Sequence, residues 1–181
     1  MNQYPTIETS RLILRPFVLC DAGDIQRLAG DRAIADTTGK IPHPYENGMA
    51  EQWISKHQDE FERGTGVYFA ITRKIDGVLI GAISLIGIVK DHQAGLGYWI
   101  GKHFWNLGFC TEAGYAVLDY GFNVLSLKRI YSCHIARNPA SGRVMRKLGM
   151  RYEGCRRNHI IKWGKLEDLM LYGILNDELK K

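Results

Sequence analysis

The chain has 181 residues, of which 45% are hydrophobic and 24% are charged, and this composition predicts one globular domain over residues 1–181. No apolar run approaches the ~20 residues of a membrane span, and the N-terminus lacks the charged and apolar regions of a signal peptide, so we expect a cytoplasmic protein without membrane contacts. The net charge of +5 suits an anionic ligand or partner, although a solvated basic surface is its commoner cause.

The first third of the chain predicts one strand and two helices around a loop. Leu12 and Leu14 alternate with their neighbours, which indicates a strand, and Asp21 is placed to cap a short helix. Glycine and prolines interrupt the next segment, and apolar residues at helical spacing then predict an amphipathic helix with core aromatics. These segments are the strand 11–17, the helix 21–29, the loop 31–46 and the helix 48–61.

The rest of the chain predicts six strands and two helices. Asp76-Gly77 is a strong hairpin signal, and Trp163-Gly164 joins the last two strands. Asn138 is placed to cap the second helix, with Pro139 in its first turn. The strands are 67–72, 78–89, 94–100, 129–136, 151–162 and 165–175, and the helices are 111–125 and 139–148. Strands and helices mix throughout, so the predicted fold class is α/β with a central, mostly antiparallel sheet flanked by helices.

Two features need separate explanation. Gly95 and Gly97 are unusual inside a strand and indicate a bulge or a close backbone approach, although they would also permit tight packing beside Trp99. The four cysteines form no CxxC pair, which predicts free thiols rather than disulfides and no metal site. They are Cys20, Cys110, Cys133 and Cys155.

The segment 98–112, YWIGKHFWNLGFCTE, is the strongest functional signal. An aromatic strand end runs into a loop with Gly101 and Gly108, and a helix begins near Thr111. Free backbone N–H groups at a helix N-terminus attract phosphate, and glycine allows close approach of a ligand. The loop matches neither a P-loop nor a dinucleotide fingerprint, so a phosphate-bearing ligand and a mere connection both remain open.

Together with 138–150 (NPASGRVMRKLGM) and 7–17 (IETSRLILRPF), this segment resembles the GCN5-related N-acetyltransferase (GNAT) superfamily. Its branch of ribosomal-protein alanine acetyltransferases (RimJ/RimL-like) is the most similar, and the resemblance runs from about Thr9 to about Tyr172. It implies a sandwich fold whose splayed strands form an acetyl-CoA cleft. It also implies transfer of an acetyl group from acetyl-CoA, the cosubstrate, to a primary amine by direct attack.

The family's phosphate loop, Gln/Arg-x-x-Gly-x-Gly/Ala, aligns with 105–110 and keeps its central Gly108. Asn106 replaces a frequent glycine, and Cys110 replaces a frequent alanine. A backbone N–H around Tyr98 or Trp99 would hold the oxyanion. The coenzyme-binding residues that the resemblance implies are Tyr98, Trp99, Ile100, Trp105, Asn106, Leu107, Gly108, Phe109, Cys110, Thr111, Asn138 and Ser141.

Ser141 is the implied catalytic acid for the leaving thiolate. Many family members use a tyrosine in the same helix, but Met145 stands there in this chain, whereas the ribosomal-protein branch has a serine that matches Ser141. Asn138 would bind the pantetheine amide. The simpler alternative is that Asn138 is an ordinary helix cap and Ser141 an ordinary first-turn residue.

The expected general base is missing, because its usual carboxylate positions are Gly95 and Ile160. His134 and His159 are weak candidates, since an imidazole accepts protons near neutral pH. A water chain that ends at Glu153 or Asp168 is an alternative, as is an amine that arrives already neutral.

The acceptor should bind between the loop 42–45 and the hairpin at Trp163. His43, Tyr45, Tyr68 and Trp163, together with Glu167, would suit a small amine or a protein N-terminus, such as that of a ribosomal protein. All five could equally be packing or surface residues. A homodimer is implied only by the family.

Two other functions are open. One is a catalytically weak acyl-CoA-binding sensor, favoured by the missing carboxylates. The other is a nucleic-acid or ribosome-associated protein, suggested by a basic group, but no nucleic-acid motif accompanies it and we expect no direct nucleic-acid contact. These charges could instead hold the phosphates of the coenzyme or face solvent. The basic group is Arg143, Arg146, Lys147, Arg151, Arg156 and Arg157.

Overall fold

An eight-stranded sheet organises the chain, which the computed structural model describes from residue 4 to residue 179. The strands lie across the sheet in the order β1-β2-β3-β4-β5-β6-β8-β7. The β5–β6 pair is parallel and the other pairs are antiparallel, which confirms the predicted α/β class with a mostly antiparallel sheet. The strands are β1 (Ile7–Glu8), β2 (Leu12–Arg15), β3 (Gly66–Arg73), β4 (Leu79–Val89), β5 (Gln93–Ile100), β6 (Arg129–Ile135), β7 (Arg151–Lys162) and β8 (Lys165–Leu175).

Helices cover both faces of this sheet. Side chains alternate along β3, so Phe69 and Ile71 join the larger core under α5 and α6, whereas Ala70 joins the smaller core under α1 and α3. Burial of these apolar side chains is the main force that holds the three layers together. The helices are α1 (Ala22–Ala29), α2 (Arg32–Thr37), α3 (Met49–Ile54), α4 (His57–Glu62), α5 (Phe109–Asn123) and α6 (Pro139–Lys147).

The prediction of a loop over 31–46 is wrong in its first part, which forms α2. The Asp31 carboxylate accepts the Ala33 N–H at 2.8 Å and so caps this helix. Ile34 and Ala35 are buried, so packing stabilises a helix that is too short to form alone. The prolines that suggested a loop lie after the helix.

The prediction of one helix over 48–61 is also wrong, because the segment forms α3 and α4. At the junction the Lys56 N–H bonds to the Trp53 carbonyl, three residues back, at 3.4 Å. The tighter turn lets the two helices pack on different partners. Ala50 and Ile54 belong to the core under α1, whereas His57 stacks on Tyr68 of β3.

Asp21 does not cap α1 with its side chain, although it lies at the N-cap position. Its carboxylate instead accepts two hydrogen bonds from the Arg15 guanidinium, at 2.7 and 2.8 Å, and one from the Val18 N–H at 2.9 Å. A bidentate charged pair is stronger than one capping bond. The carboxylate therefore ties the end of β2 to the start of α1.

The remaining helix and hairpin predictions are confirmed with small shifts at the ends. The last hairpin turns at Trp163-Gly164, both with positive φ, and the Asn138 Oδ1 accepts the Ser141 N–H at 3.2 Å to cap α6. The helix predicted at 111–125 begins two residues earlier, at Phe109. The sequence reading missed β1, a two-residue strand beside β2.

The β5–β6 pairing ends early and opens the sheet. Only Gln93–Gly95 pairs with Arg129–Tyr131, and the Ser132 hydroxyl then donates to the Leu96 carbonyl at 2.8 Å. A Cβ on Gly95 would lie 3.3 Å from the Tyr131 ring, so the glycine allows close packing where the strands part. The irregularity in the β4–β5 ladder lies opposite, between Ile86 and Val89 of β4. The expected splay of the strands is therefore observed.

A network of hydrogen bonds, here called the brace, joins the β1–β2 hairpin to the start of α5. The Glu112 carboxylate accepts hydrogen bonds from the Thr9 and Ser10 hydroxyls, at 2.6 and 2.9 Å, and from the Arg11 N–H at 2.8 Å. The Arg11 side chain adds an ion pair at 2.6 Å and donates to the Leu107 carbonyl at 3.0 Å. Partial burial alone would raise the pKa of Glu112, but these hydrogen bonds hold it at about 2.

We predict that Glu112→Gln lowers the free energy of unfolding by about 2 kcal/mol, because the variant loses charged hydrogen bonds in a partly buried site. The folded-state pKa lies below the ordinary 4.5, so the stabilisation is present above that pH and is lost as the pH falls towards about 2. Urea unfolding curves measure the effect. Glu8→Gln in the same hairpin is the control, because it removes only an exposed ion pair with Lys74 and should change little. Equal losses in the two variants would contradict the prediction.

His57 is a buried imidazole, and its two ring nitrogens have no hydrogen-bond partner among residues 4–179. It stacks on Tyr68 at a ring distance of 4.1 Å, and burial lowers its pKa from 6.5 to about 4. Because the unfolded chain binds this proton more readily, stability should fall as the pH drops from about 6.5 towards about 4, by about 3 kcal/mol in all.

The variant His57→Phe should remove that part of the pH dependence while keeping an aromatic ring against Tyr68. The measurement is the difference in the free energy of unfolding between about pH 7 and about pH 4.5. His92→Gln, at an exposed turn, is the control and should keep the full difference. A His57→Phe protein with an unchanged pH dependence would show that another group causes it.

Candidate functional site

A cleft of about 910 Å³ opens where β5 and β6 diverge. The second half of β5 and the end of β6 form its sides. The segment 104–111 and the first half of α6 line it on one face of the sheet, and the segment 37–41 after α2 lines it on the other. Clefts at such openings are common ligand sites.

The predicted phosphate loop lies at one end of this cleft. Asn106 and Gly108 have φ angles of 62° and 81°, which curl the backbone into the start of α5. The first helical hydrogen bond runs from the Glu112 N–H to the Gly108 carbonyl at 3.0 Å, so the N–H groups of 109–111 have no acceptor within the helix. They carry the partial positive charge of the helix N-terminus into the cleft.

Eleven of the twelve predicted coenzyme-binding residues line the cleft, and Leu107 does not. The Leu107 side chain is half exposed, and the Leu107 carbonyl accepts a hydrogen bond from the Arg11 guanidinium. The indole N–H of Trp105 donates to the Ile100 carbonyl at 2.6 Å, which fixes the loop against the end of β5. Burial raises the pKa of the Cys110 thiol to about 12, so it stays protonated at neutral pH. The contacts of these residues with the coenzyme stay a prediction.

Two cations beside the phosphate loop were not among the predicted site residues. Arg143 and Lys147, four residues apart on α6, both line the cleft. The sequence grouped these two residues with four other basic residues. Their i, i+4 spacing places both on one face of α6, and this spacing could have distinguished them from the rest of the group. Arg151 pairs with Glu178, and Arg146 contacts the Tyr172 hydroxyl, so those two have other roles.

Ser141 and Tyr98 form a pair of hydroxyls inside the cleft. The Tyr98 Oη lies 2.8 Å from the Ser141 Oγ and 3.1 Å from the Ser141 carbonyl oxygen. Burial strongly raises the pKa of Tyr98, so its hydroxyl keeps its proton and can donate it to Ser141. The pairing joins β5 to α6 and could not be read from either segment alone.

Asn138 joins the two faces of the cleft. Its Oδ1 caps α6, and its Nδ2 donates to the Thr37 carbonyl at 3.1 Å. Each end of the amide thus has a partner in the protein, although one N–H and one lone pair remain for a ligand. The predicted contact with the pantetheine amide stays a prediction.

The two histidines considered as bases lie in different places. His134 is buried, lines the cleft, and has its Nδ1 2.9 Å from the Ile135 carbonyl oxygen. Its Nε2 packs against Gly142 of α6. His159 is exposed beside Arg156 and does not line the cleft, so His134 is the better placed of the two.

No Asp or Glu in residues 4–179 lines the cleft. Gly95 and Ile160, the usual carboxylate positions, both line it. Glu153 pairs with Arg129, and Asp168 accepts the Asn158 N–H at 2.7 Å. Within the same part of the chain, no three His, Cys, Asp or Glu residues are grouped as a metal site would need.

None of the five predicted acceptor residues lines the cleft, and these are His43, Tyr45, Tyr68, Trp163 and Glu167. Tyr68 belongs to the ring cluster around His57, and Tyr45 packs against the smaller core. His43 and Trp163 meet edge to face at 6.5 Å, outside the cleft wall. Their role with the acceptor stays a prediction.

The segment 37–41 lines the cleft on the face of the sheet opposite α6. The buried Lys162 holds this segment, because its Nζ donates to the Ile41 carbonyl at 2.9 Å. Trp163 adds a hydrogen bond from its indole N–H to Asp36 at 2.5 Å. This segment ends at Ile41, directly before the loop 42–45 that the sequence predicts as a wall of the acceptor site, and that role of 42–45 stays a prediction.

Comparison with known proteins agrees with this geometry. A family model for the acetyltransferase (GNAT) domain matches residues 11–151. The uncharacterized N-acetyltransferase YoaA of Bacillus subtilis is 30% identical over 173 residues, which are 95% of this chain and 97% of that protein. The ribosomal protein uS5-alanine N-acetyltransferase of Escherichia coli is 27% identical over 131 residues, which are 71% of this chain and 67% of that protein.

The fold is also that of a solved relative. The structure of RimL, a ribosomal L7/L12 α-N-protein acetyltransferase in complex with coenzyme A, has a TM-score of 0.86 with 17% identity and covers 94% of this chain and 98% of that one. In the residues that the structure describes, no helix is both long and apolar enough to cross a bilayer. The chain therefore belongs to the GNAT acetyltransferase family, and it is an acetyl-CoA-dependent N-acetyltransferase.

Proposed function

We propose that the protein transfers the acetyl group by direct attack of a primary amine, with Ser141 as the acid for the leaving thiolate. The Ser141–Tyr98 hydroxyl pair, 2.8 Å apart at the opening between β5 and β6, carries this proposal. The acceptor is the N-terminus of a protein or a small-molecule amine. The named activities of the uS5 and L7/L12 acetyltransferases support a protein N-terminus as one class.

The cleft suits the anionic coenzyme. The N–H groups of 109–111 supply a helix N-terminus for phosphate, and Arg143 and Lys147 add two positive charges beside it. The lining has no carboxylate to repel phosphate. The Arg11–Glu112 brace keeps the loop in place before the coenzyme binds, which reduces the cost of ordering it.

The Tyr98 N–H is suited to hold the oxyanion. Successive peptide groups of a strand point in opposite directions, and the Leu96 carbonyl points to β6, where it accepts the Ser132 hydroxyl. The Tyr98 N–H, two residues on, is therefore on the same side and faces the opening. The Trp99 N–H faces β4 instead. A preset donor at the developing negative charge stabilises the transition state.

Ser141 supplies the proton that the departing thiolate needs. As the amine nitrogen bonds to the acetyl carbon, the carbon–sulfur bond breaks, and the sulfur takes a proton from the Ser141 hydroxyl. Tyr98 keeps Ser141 oriented by donating to its Oγ, and Ser141 recovers its proton from the solvent that receives the one lost by nitrogen. The serine ends the cycle unchanged.

A second candidate function is a catalytically weak sensor of acyl-CoA within the same family. The absence of Asp and Glu from the cleft lining favours it, because no carboxylate is placed to deprotonate an ammonium group. Tight coenzyme binding without acetylation of any amine would distinguish the sensor from the enzyme.

We predict that Ser141→Ala lowers kcat about 100-fold, because a positioned acid contributes about that much or more. Tyr98→Phe should lower kcat less, about tenfold, because it removes only the hydrogen bond that orients Ser141. Both variants should keep the dissociation constant for coenzyme A. The assay follows release of free coenzyme A from acetyl-CoA over a panel of peptides and small amines, and calorimetry measures coenzyme binding.

Tyr152→Phe is the matched control, because its hydroxyl is on the exposed part of β7, outside the cleft. It should retain full activity. If Ser141→Ala turns over as fast as the original protein, Ser141 is not the acid. If no amine supports release while coenzyme binds tightly, the sensor replaces the enzyme.

Arg143→Gln combined with Lys147→Gln should raise the dissociation constant for coenzyme A by about tenfold, because two cations beside the phosphates are lost. The salt dependence of binding should become shallower as well, since fewer charges remain to be screened. Arg157→Gln is the control, as Arg157 is exposed and outside the cleft. Equal effects of the control and the double variant would mean that only the overall charge matters.

A further inference from the structure

The acceptor side of the cleft is positively charged. Lys40 and Arg137 line it, together with Cys133 and Ile160. Cys133 is on the sheet face opposite α6, because its neighbour His134 packs on Gly142 of that helix. Charges from Arg156 and Lys40 act on the Cys133 thiol, which places both cations near this wall.

These cations have spare capacity to bind a ligand. Lys40 makes no hydrogen bond or ion pair within residues 4–179 and is exposed. Arg137 uses its Nε to bind Glu167 at 2.7 Å, and its two terminal nitrogens have no protein acceptor among those residues. A guanidinium with two free terminal nitrogens suits the paired oxygens of a carboxylate or phosphate.

The nearby carboxylates already have protein partners. Asp36 accepts the indole N–H of Trp163, and Glu167 accepts the Nε–H of Arg137. Neither lines the cleft. At the cleft lining, an anionic group would therefore meet Lys40 and the terminal nitrogens of Arg137, whereas a polycationic acceptor would meet no carboxylate from residues 4–179.

We infer that the acceptor is an amine that carries an anionic group, a carboxylate or a phosphate, bound by Lys40 and Arg137. This inference rests on the proposed acetyl transfer and adds the substrate class. The charge also bears on the missing base, because positive surroundings disfavour the ammonium form. The amine loses its proton to solvent and attacks as the neutral base, after which the carbon–nitrogen bond forms and the carbon–sulfur bond breaks as described above.

The test compares amines that differ by one group. One pair is a tripeptide amide with Asp or Asn after its N-terminal Ala, and the other is O-phosphoethanolamine and ethanolamine, with spermidine as the polycation. Values of kcat/KM are calculated with the concentration of the neutral form of each amine, so that differences in amine pKa do not affect the comparison. We expect about tenfold preference for the anionic member of a pair, which corresponds to about 1.4 kcal/mol. The peptide and phosphate pairs distinguish carboxylate from phosphate as the preferred group.

Lys40→Gln should reduce that preference severalfold, and Lys40→Glu should reverse it, while the KM for acetyl-CoA stays unchanged. Lys56→Gln is the matched control, since Lys56 is an exposed lysine outside the cleft, and it should keep the preference. Equal turnover of both members of each pair, or a spermidine preference, would overturn the inference but leave the acetyl transfer standing. A raised KM for acetyl-CoA in Lys40→Gln, with the preference kept, would assign Lys40 to the coenzyme and also overturn it. Release with no amine at all would contradict the proposed function itself.

Discussion

The site depends on peptide groups of β5 that have no partner strand. Buried N–H and C=O groups need hydrogen bonds, and β5 loses those of β6 beyond Gly95. The Ser132 hydroxyl donates to the Leu96 carbonyl, and the next group on that side of β5 is the Tyr98 N–H, the proposed oxyanion donor. A sheet that stayed closed would have bonded this N–H and left no space for the cleft. The opening therefore provides both the space and the polar group.

The layered fold brings different chemistry to the two faces of that opening. On one face, the starts of α5 and α6 supply free N–H groups and the Ser141 hydroxyl. On the other, the segment after α2 supplies Lys40. Under the proposed function, coenzyme and acceptor approach the same gap from opposite sides, so neither has to leave before the other binds. The Arg11–Glu112 brace and the Lys162–Ile41 hydrogen bond fix the two walls separately.

Local signals in the sequence were sufficient for the hairpins, the cap of α6 and the turn into α5, because each depends on neighbouring residues. In the two hairpin turns, positive φ angles occur at Gly77, Trp163 and Gly164, as tight turns require. Helix α2 was missed because its stability comes from burial of Ile34 rather than from a long periodic pattern. The contact of Tyr98 with Ser141 was missed for a related reason, since 43 positions separate the residues and only the fold brings them together.

The amide of Asn138 has a consequence for how mutations at the site are interpreted. One side chain caps α6 through Oδ1 and holds the Thr37 carbonyl through Nδ2. Truncating it would loosen the acid-bearing helix and the acceptor wall in a single change, so reduced turnover in such a variant would mix two defects. Asp at this position would keep the cap acceptor and lose the donor to Thr37. Comparing Asn138→Ala with Asn138→Asp thus distinguishes the loss of the α6 cap, which supports Ser141, from the loss of the hydrogen bond to the Thr37 carbonyl.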